Sequence, residues 1–325
     1  MPSRPKPLRM QLNTFYSGPQ AWFFLADERG YLRDEGVSIE FVEGDTAANT
    51  VPRMAAGDFD LGYGDINALI EHVARGRPRA PLAVYASYNA SPYTLAFPAE
   101  RPIIDPRQLS GKRVASHPQD AAWLLFPEFG RCTGLDVGSV AVEECAAPHS
   151  AMIPDLLAGR WDGMFGFVNT LIAASIDAGL DPQTSLQFMP YSDHVPDLYG
   201  MAILVSPELA RDEPEVIAPL LRALNRGLVD TVADPVAAMD ALVRRQPTMN
   251  REANHRRLLG TLALEMAGAE GARLGLGDLD LARLQRAIDL IVDTRGLPQR
   301  PLASALFSST WLPPLNERVR SLARG

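Results

Sequence analysis

Strand and helix alternate along the first two-thirds of this chain, and that order limits its fold more than any other feature. Residues 8–12 alternate apolar and polar, as a half-buried strand does. A turn at 13–19 leads into a helix over 20–28 that Gly30 stops. Residues 38–42 read as a second strand. Asp45 and Thr46 cap a helix running to about Ala56, and Gly57 ends it. A third strand at 61–63, a helix over 66–74 capped by Asp65, and a fourth strand at 82–88 follow. Such an order predicts α/β architecture, a mostly parallel sheet with helical crossovers.

The pattern then restarts. Residues 92–97 are extended, and the proline-bearing stretch 98–102 is a candidate crossing between two lobes. Strands are expected near 113–115, 140–142 and 185–189, with a helix around Trp123 and Phe126 and a helix end at 153–159. Residues 197–205 read as a strand returning to the first lobe. The segment Ala56-Gly57-Asp58-Phe59-Asp60-Leu61-Gly62-Tyr63-Gly64 echoes Ala158-Gly159-Arg160-Trp161-Asp162-Gly163-Met164-Phe165-Gly166. Each copy reads as a helix stop, a short strand and a loop facing a ligand. Beyond Pro207 the chain turns helical over 214–232, 235–245, 251–266 and 279–294, which predicts a C-terminal helical cap on the first lobe. The expected lobes are 8–97 with 201–325, and 98–200, with a ligand cleft between them and hinges near 97–102 and 196–199.

Composition removes several function classes. The net charge of −8 argues against a nucleic-acid partner, which calls for a basic face. No apolar run approaches the ~18 residues needed to cross a bilayer. The start, Met1 to Pro7, has no hydrophobic core of a signal peptide, which leaves a removed signal or a cytosolic protein as the two readings. Cys132 and Cys145 are the two cysteines, either paired or free.

Several pieces, taken in order, resemble the type 2 periplasmic-binding-protein superfamily. They are Gly30-Tyr31-Leu32-Arg33-Asp34-Glu35-Gly36-Val37, the two echo segments, Leu109-Ser110-Gly111-Lys112-Arg113-Val114, Asp197-Leu198-Tyr199-Gly200 and Phe307-Ser308-Ser309-Thr310-Trp311-Leu312-Pro313. The chain is similar to the branch that holds alkanesulfonate, taurine and nitrate binders and the binders of thiamine pyrimidine precursors. That resemblance implies a two-lobed Venus-flytrap fold. It also implies solute capture for an ABC importer, a permease partner in the membrane, a monomer and a periplasmic location. A ligand-sensing domain without transport is a third class. The same superfamily holds a thiamine-pyrimidine synthase that uses pyridoxal phosphate, histidine and iron. Lys6 and Lys112 are the two lysines, and no HxxH, GxSxG, Walker or zincin pattern occurs. No catalysis, cofactor or metal is therefore expected.

Pockets for small organic solutes are mostly apolar, with a few placed polar groups. Tyr16 is the candidate aromatic wall on the loop 15–18, while Trp22 reads as core. Asp65 and Asn67 are candidates to read two edges of a ring, Asp65 also capping its helix. Tyr88 and Tyr93 flank the end of the fourth strand. In the second lobe, Gln119 and Asp120 occupy a loop-to-helix turn, and Phe167 and Asn169 follow the echo strand. Tyr199 is expected to face the cleft. Asp193 and His194 read as surface charge. This set favours a neutral or weakly cationic aromatic ring over a sulfonate.

Overall fold

The computed structural model describes residues 7–320 and 322. Two compact units form. The first takes the chain up to Ala90, Tyr199–Val292 and the stretch from Gly296 on, and the second takes Ser91–Leu198 with Asp293–Arg295. Ten strands run through the described residues: β1 (Leu8–Gln11), β2 (Ile39–Val42), β3 (Leu61–Asp65), β4 (Leu82–Ala86), β5 (Tyr93–Pro98), β6 (Arg113–Ser116), β7 (Ala141–Glu144), β8 (Gly163–Phe167), β9 (Leu186–Pro190) and β10 (Met201–Val205).

The first sheet has the order β2-β1-β3-β10-β4, and the second β7-β6-β8-β5-β9. In the first, β1 runs parallel to β2 and β3, while β10 is antiparallel to β3 and β4. In the second, β6 runs parallel to β7 and β8, while β5 is antiparallel to β8 and β9. Each sheet is thus a parallel set interrupted at the same place by one reversed strand. The α/β fold expected from the alternation is present.

The boundary expected at 97/98 is displaced. β5 pairs with β8 and β9 over its whole length, so residues 93–97 belong to the second sheet and 97–102 is not the crossing. The chain leaves the first unit between Ala90 and Ser91 and returns between Leu198 and Tyr199. The proline signal misled because Pro98 is the last residue of β5, where a missing N–H is tolerated.

The echo segments have a physical basis. Gly57 ends the helix Thr50–Ala56 at φ +89°, and Gly159 follows the helix His149–Leu157 at φ +90°. Both need the left-handed conformation that glycine adopts freely. Three residues on, Asp60 Oδ2 accepts the Arg9 N–H at 2.8 Å, and Asp162 Oδ2 accepts the Arg113 N–H at 2.9 Å. The N–H of each aspartate returns a bond to the carbonyl of the same arginine. Each copy therefore clasps the start of a strand in its own sheet, β1 in one and β6 in the other.

In the first unit the helix Ala21–Glu28 is buried through Ala26. Trp22 stacks on Phe23 with ring centroids 3.8 Å apart, and Phe23 meets Tyr63 edge-on at 5.0 Å, so Trp22 is core. The helix Ile217–Ala233 crosses it closely, since a Cβ at Gly227 would lie 2.6 Å from the Trp22 carbonyl. The helices Pro235–Arg245 and Arg251–Gly260 continue the expected cap, and the last runs on as a π-helical turn, Thr261–Met266. The second unit's core gathers Met152, Ile153, Leu156, Trp161, Met164 and Leu171. Among the described residues no helix is long and apolar enough to cross a membrane. Cys132 and Cys145 are both free.

Candidate functional site

Ligands of open α/β sheets meet the carboxyl ends of the strands. In the first unit those ends are the loop after β1, the turn from β3 into the helix Ile66–Ala74, and residues 87–90 after β4. Asp65 caps its helix as expected. Its Oδ1 accepts from the Asn67 N–H at 2.8 Å and from Asn67 Nδ2 at 2.9 Å. Asn67 Nδ2 also donates to the Tyr199 carbonyl at 2.7 Å, which ties β3 to the start of β10. Tyr88 stands edge-on to Tyr63 at 6.3 Å. The Tyr63 hydroxyl lies 2.9 Å from Ser87 Oγ, which donates to the Met201 carbonyl. Burial raises the Tyr88 hydroxyl well above its ordinary pKa, so it stays a neutral donor.

Two expected residues are occupied elsewhere. The Tyr16 hydroxyl donates to the Phe41 carbonyl at 2.9 Å and its ring packs on Phe24. Phe15 is the exposed aromatic of that loop, at 64%. Tyr199 is turned into the C-terminal helices. Its hydroxyl donates to Glu270 Oε1 at 2.6 Å and Arg283 lies 4.0 Å over its ring. That side chain joins a half-buried ion pair, Arg283–Glu270, rather than a ligand-facing surface.

The loop after β1 also differs from the anion cradle its sequence suggests. Three consecutive N–H groups are taken by side-chain oxygens: Tyr16 by Glu43 at 2.7 Å, Ser17 by Gln20 at 3.1 Å and Gly18 by Asn254 at 2.9 Å. Only glycine fits at position 18, because a Cβ there would lie 2.0 Å from the Asn254 carbonyl oxygen.

Four polar residues were not singled out by the sequence. Both amide atoms of Gln11, the last residue of β1, are buried without a partner. Gln11 pairs with Gly62, where a Cβ would run into Thr50 and Met54, so it lies on the sheet face covered by the helix Thr50–Ala56. Asn89 is 3% exposed and its Oδ1 has no partner. Thr261 is fully buried and its Oγ1 has none either, and Glu265, one turn on, is 4% exposed. A lone carboxylate within Leu262-Ala263-Leu264-Glu265-Met266 was the available signal.

The second unit brings Tyr93 and Phe167 together. Their rings meet edge-on at 5.4 Å, and Tyr191 joins Tyr93 at 6.1 Å. Asn169 is buried in the first turn of the helix Val168–Asp177. Gln119 is exposed and holds φ +60°, a conformation side-chain-bearing residues rarely adopt. Asp120 caps the next turn through the Ala122 N–H at 2.8 Å. Burial pushes its carboxyl up to about 6, against the pull of the Ala122 and Trp123 N–H groups and of His117. His117 and His149 lie in ring contact at 4.6 Å.

Pyridoxal phosphate and iron, which the synthase resemblance implies, do not fit these residues. Lys112 sits in the turn that enters β6, at the opposite end of that strand from Ser116–Asp120, and Lys6 lies outside the described residues. Among the described residues no group of three or more His, Cys, Asp or Glu is placed to hold a metal ion.

Comparison with known proteins places this geometry. The family model described as NMT1/THI5 like matches residues 20–238. A relative from Aspergillus parasiticus, named 4-amino-5-hydroxymethyl-2-methylpyrimidine phosphate synthase, is 22% identical over 271 residues, 75% of this chain and 72% of its own. The alkanesulfonate-binding protein SsuA from Xanthomonas axonopodis pv. citri, bound to MOPS, superposes with a TM-score of 0.69 at 19% identity, covering 94% of this chain and 98% of that one. The aliphatic sulphonate binding protein SsuA of Escherichia coli gives 0.66 at 16% identity, covering 93% of this chain and 92% of that one. These structures share the periplasmic-binding-protein fold with this chain. The expectation that the chain does no catalysis is corrected, because the matching relative carries the name of an enzyme.

Proposed function

The chain belongs to the NMT1/THI5-like family, and on that premise we propose that it binds a small aromatic or heterocyclic solute such as a thiamine pyrimidine precursor. The observation that carries this reading is buried amide capacity without a partner in the first unit, both amide atoms of Gln11 and the Oδ1 of Asn89, together with the buried Tyr63–Tyr88 pair on the other face of the sheet from Gln11. A buried polar group left unpaired costs about 1–3 kcal/mol, so such groups call for a partner the protein does not supply. Amides and tyrosine hydroxyls suit the polar edges of a neutral ring. An alkanesulfonate is the poorer candidate, because the three N–H groups after β1 are already satisfied by Glu43, Gln20 and Asn254. Asp65, Asn67 and Tyr88 are the proposed ligand-facing residues within the first unit, and Tyr93, Gln119, Asp120, Phe167 and Asn169 those within the second. The proposed role is solute capture outside the cytoplasm for an ABC permease. A second reading, conversion of the bound ring, is favoured by the name of the Aspergillus relative.

A thermal-shift screen against pyrimidines, alkanesulfonates and taurine tests the binding reading, since a ligand raises the melting temperature with the logarithm of its concentration over Kd. Pyrimidines are expected to shift the melt and sulfonates to leave it in place; the reverse pattern would overturn the reading. Mass spectrometry of the pyrimidine after incubation with the purified protein separates capture from conversion. An unchanged ligand mass supports capture, and a changed ligand mass supports conversion.

A further inference from the structure

The C-terminal part of the first unit holds a cavity of about 190 Å³ that none of the proposed ligand-facing residues lines. Its sides are Met266, the last residue of the π-helical turn, with Leu276, Val319 and Leu322. The chain that forms one side is held in place by two hydrogen bonds. The Leu276 N–H donates to the Val319 carbonyl at 2.8 Å, and Asn225 Nδ2 donates to the Glu317 carbonyl at 2.9 Å. Gly271 lines the cavity without a side chain because Asn89 takes that room. A Cβ at Gly271 would lie 2.3 Å from Asn89 Nδ2.

Size and lining set what such a cavity accepts. An apolar cavity of about 150 Å³ is enough to hold benzene, so this one has room for a single ring. Charge enters at one point. Ala272 and Arg320 both line the cavity, and Arg320 Nε donates to the Ala272 carbonyl at 3.1 Å. Arg320 is exposed, so that bond fixes its guanidinium at the rim and leaves the Nη groups for another acceptor. Other charges of this corner are engaged. Arg318 Nη1 lies 3.7 Å from Asp278, and Arg273 Nη2 donates to Asp280 at 2.9 Å. Glu270 is taken by Arg283 and the Tyr199 hydroxyl. Among the described residues Arg320 has no carboxylate partner.

We propose that this cavity is a small-molecule site for an aromatic carboxylate, separate from the site of the ring solute. The ring fills the space between Met266, Leu276, Val319 and Leu322, and the carboxylate meets the Arg320 guanidinium at the rim. Guanidinium and carboxylate match in a forked pair of charge-assisted hydrogen bonds. Apolar sides with one placed cation are the usual make-up of a site for an amphipathic small molecule. The proposal is independent of what the strand ends bind, since it shares no lining residue with them.

The test is titration of the full chain with 4-fluorobenzoate, followed by its fluorine NMR signal. Wild type is expected to bind it, and to bind the uncharged 4-fluorobenzamide about fivefold more weakly, as an exposed ion pair gives. Acetate, which has the charge without the ring, is expected not to displace it. Arg320→Gln is expected to lose about fivefold for the benzoate and nothing for the benzamide. Ala272→Phe, which narrows the cavity with a ring of its own, is expected to lose both ligands. Both positions are exposed, and melting curves without ligand establish that each variant folds. No binding by wild type would overturn the proposal. So would binding of the benzoate that survives both variants, because the ligand would then sit elsewhere. Loss in Ala272→Phe with no change in Arg320→Gln would overturn the choice of a carboxylate.

Discussion

The two units are alike where their strands begin and unlike where they end. At the beginning, each has a left-handed glycine, an aspartate three residues later and a backbone clasp on the start of a strand, through Gly57 and Asp60 on β1 in one and Gly159 and Asp162 on β6 in the other. At the other end, the first unit closes its strand termini with C-terminal helices and holds amides and a carboxylate in the interior. The second has an aromatic group, Tyr93, Phe167 and Tyr191, and a short loop with a strained Gln119 and a titrating Asp120. The shared end sets the sheet; the divergent end holds the candidate site residues. A repeated scaffold thus leaves its strand exits free to differ.

The largest effect that separates the units is expected at their ion pairs. Within the second unit, Glu128 is fully buried and receives Arg295 Nε at 2.7 Å and Nη2 at 2.9 Å. Removing one member of such a pair leaves a buried charge unpaired, which costs about 3–5 kcal/mol. The first unit's Arg283–Glu270 pair keeps side-chain exposures of 15% and 13%, so its loss is expected to cost less. Urea melts of Glu128→Ala and Glu270→Ala measure both. Equal losses would show that burial does not distinguish the two pairs.

The shared end predicts equality instead. Alanine at a left-handed position costs about 1–2 kcal/mol. A Cβ at Gly57 would meet Arg79 Nη2 at 2.8 Å, and one at Gly159 would meet Arg101 Nη1 at 3.2 Å. Both neighbours are ends of flexible side chains and can move, so the two variants are expected to lose similar stability. A neutral Gly159→Ala beside a damaging Gly57→Ala would break the equivalence of the echo.

The echo was legible because it is local: a glycine stop and an aspartate at fixed spacing act through nearby backbone. The elements around it were legible for the same reason, and Asp65 capped the helix Ile66–Ala74 as its position suggests. What failed depended on distant chain. Gln11 falls on the polar side of its strand's alternation, which reads as solvent, and the helix Thr50–Ala56 covers it. Tyr199 reads as a ligand-facing ring until Glu270 and Arg283 arrive from the C-terminal helices to engage it. The π-helical turn leaves no periodicity mark of its own, because an extra residue in a helix only shifts the phase after it. The strand β5 was assigned to the wrong lobe since its register with β8 and β9 is set far along the sequence.

The smallest effect sharpens the contrast at the strand exits. Asp120 is pushed up to about 6 when folded, against about 3.9 for an unfolded aspartate. The folded state therefore binds the proton more tightly. Its stabilising contribution is complete below about pH 4 and is lost as pH rises through about 6. The full shift corresponds to nearly ~3 kcal/mol, and the partial exposure of Asp120 reduces that to about 1 kcal/mol through solvent screening. Asn keeps the capping oxygen but cannot ionise. Asp120→Asn is thus expected to match wild type near pH 4 and to exceed it by about 1 kcal/mol at pH 7, read from urea melts at each pH. His117 is the nearby charge that lowers Asp120, so His117→Asn should widen the gap. A variant whose advantage is the same at both pH values would mean that Asp120 acts only as a cap, and the second unit's exit loop would then be as inert to pH as its entry clasp.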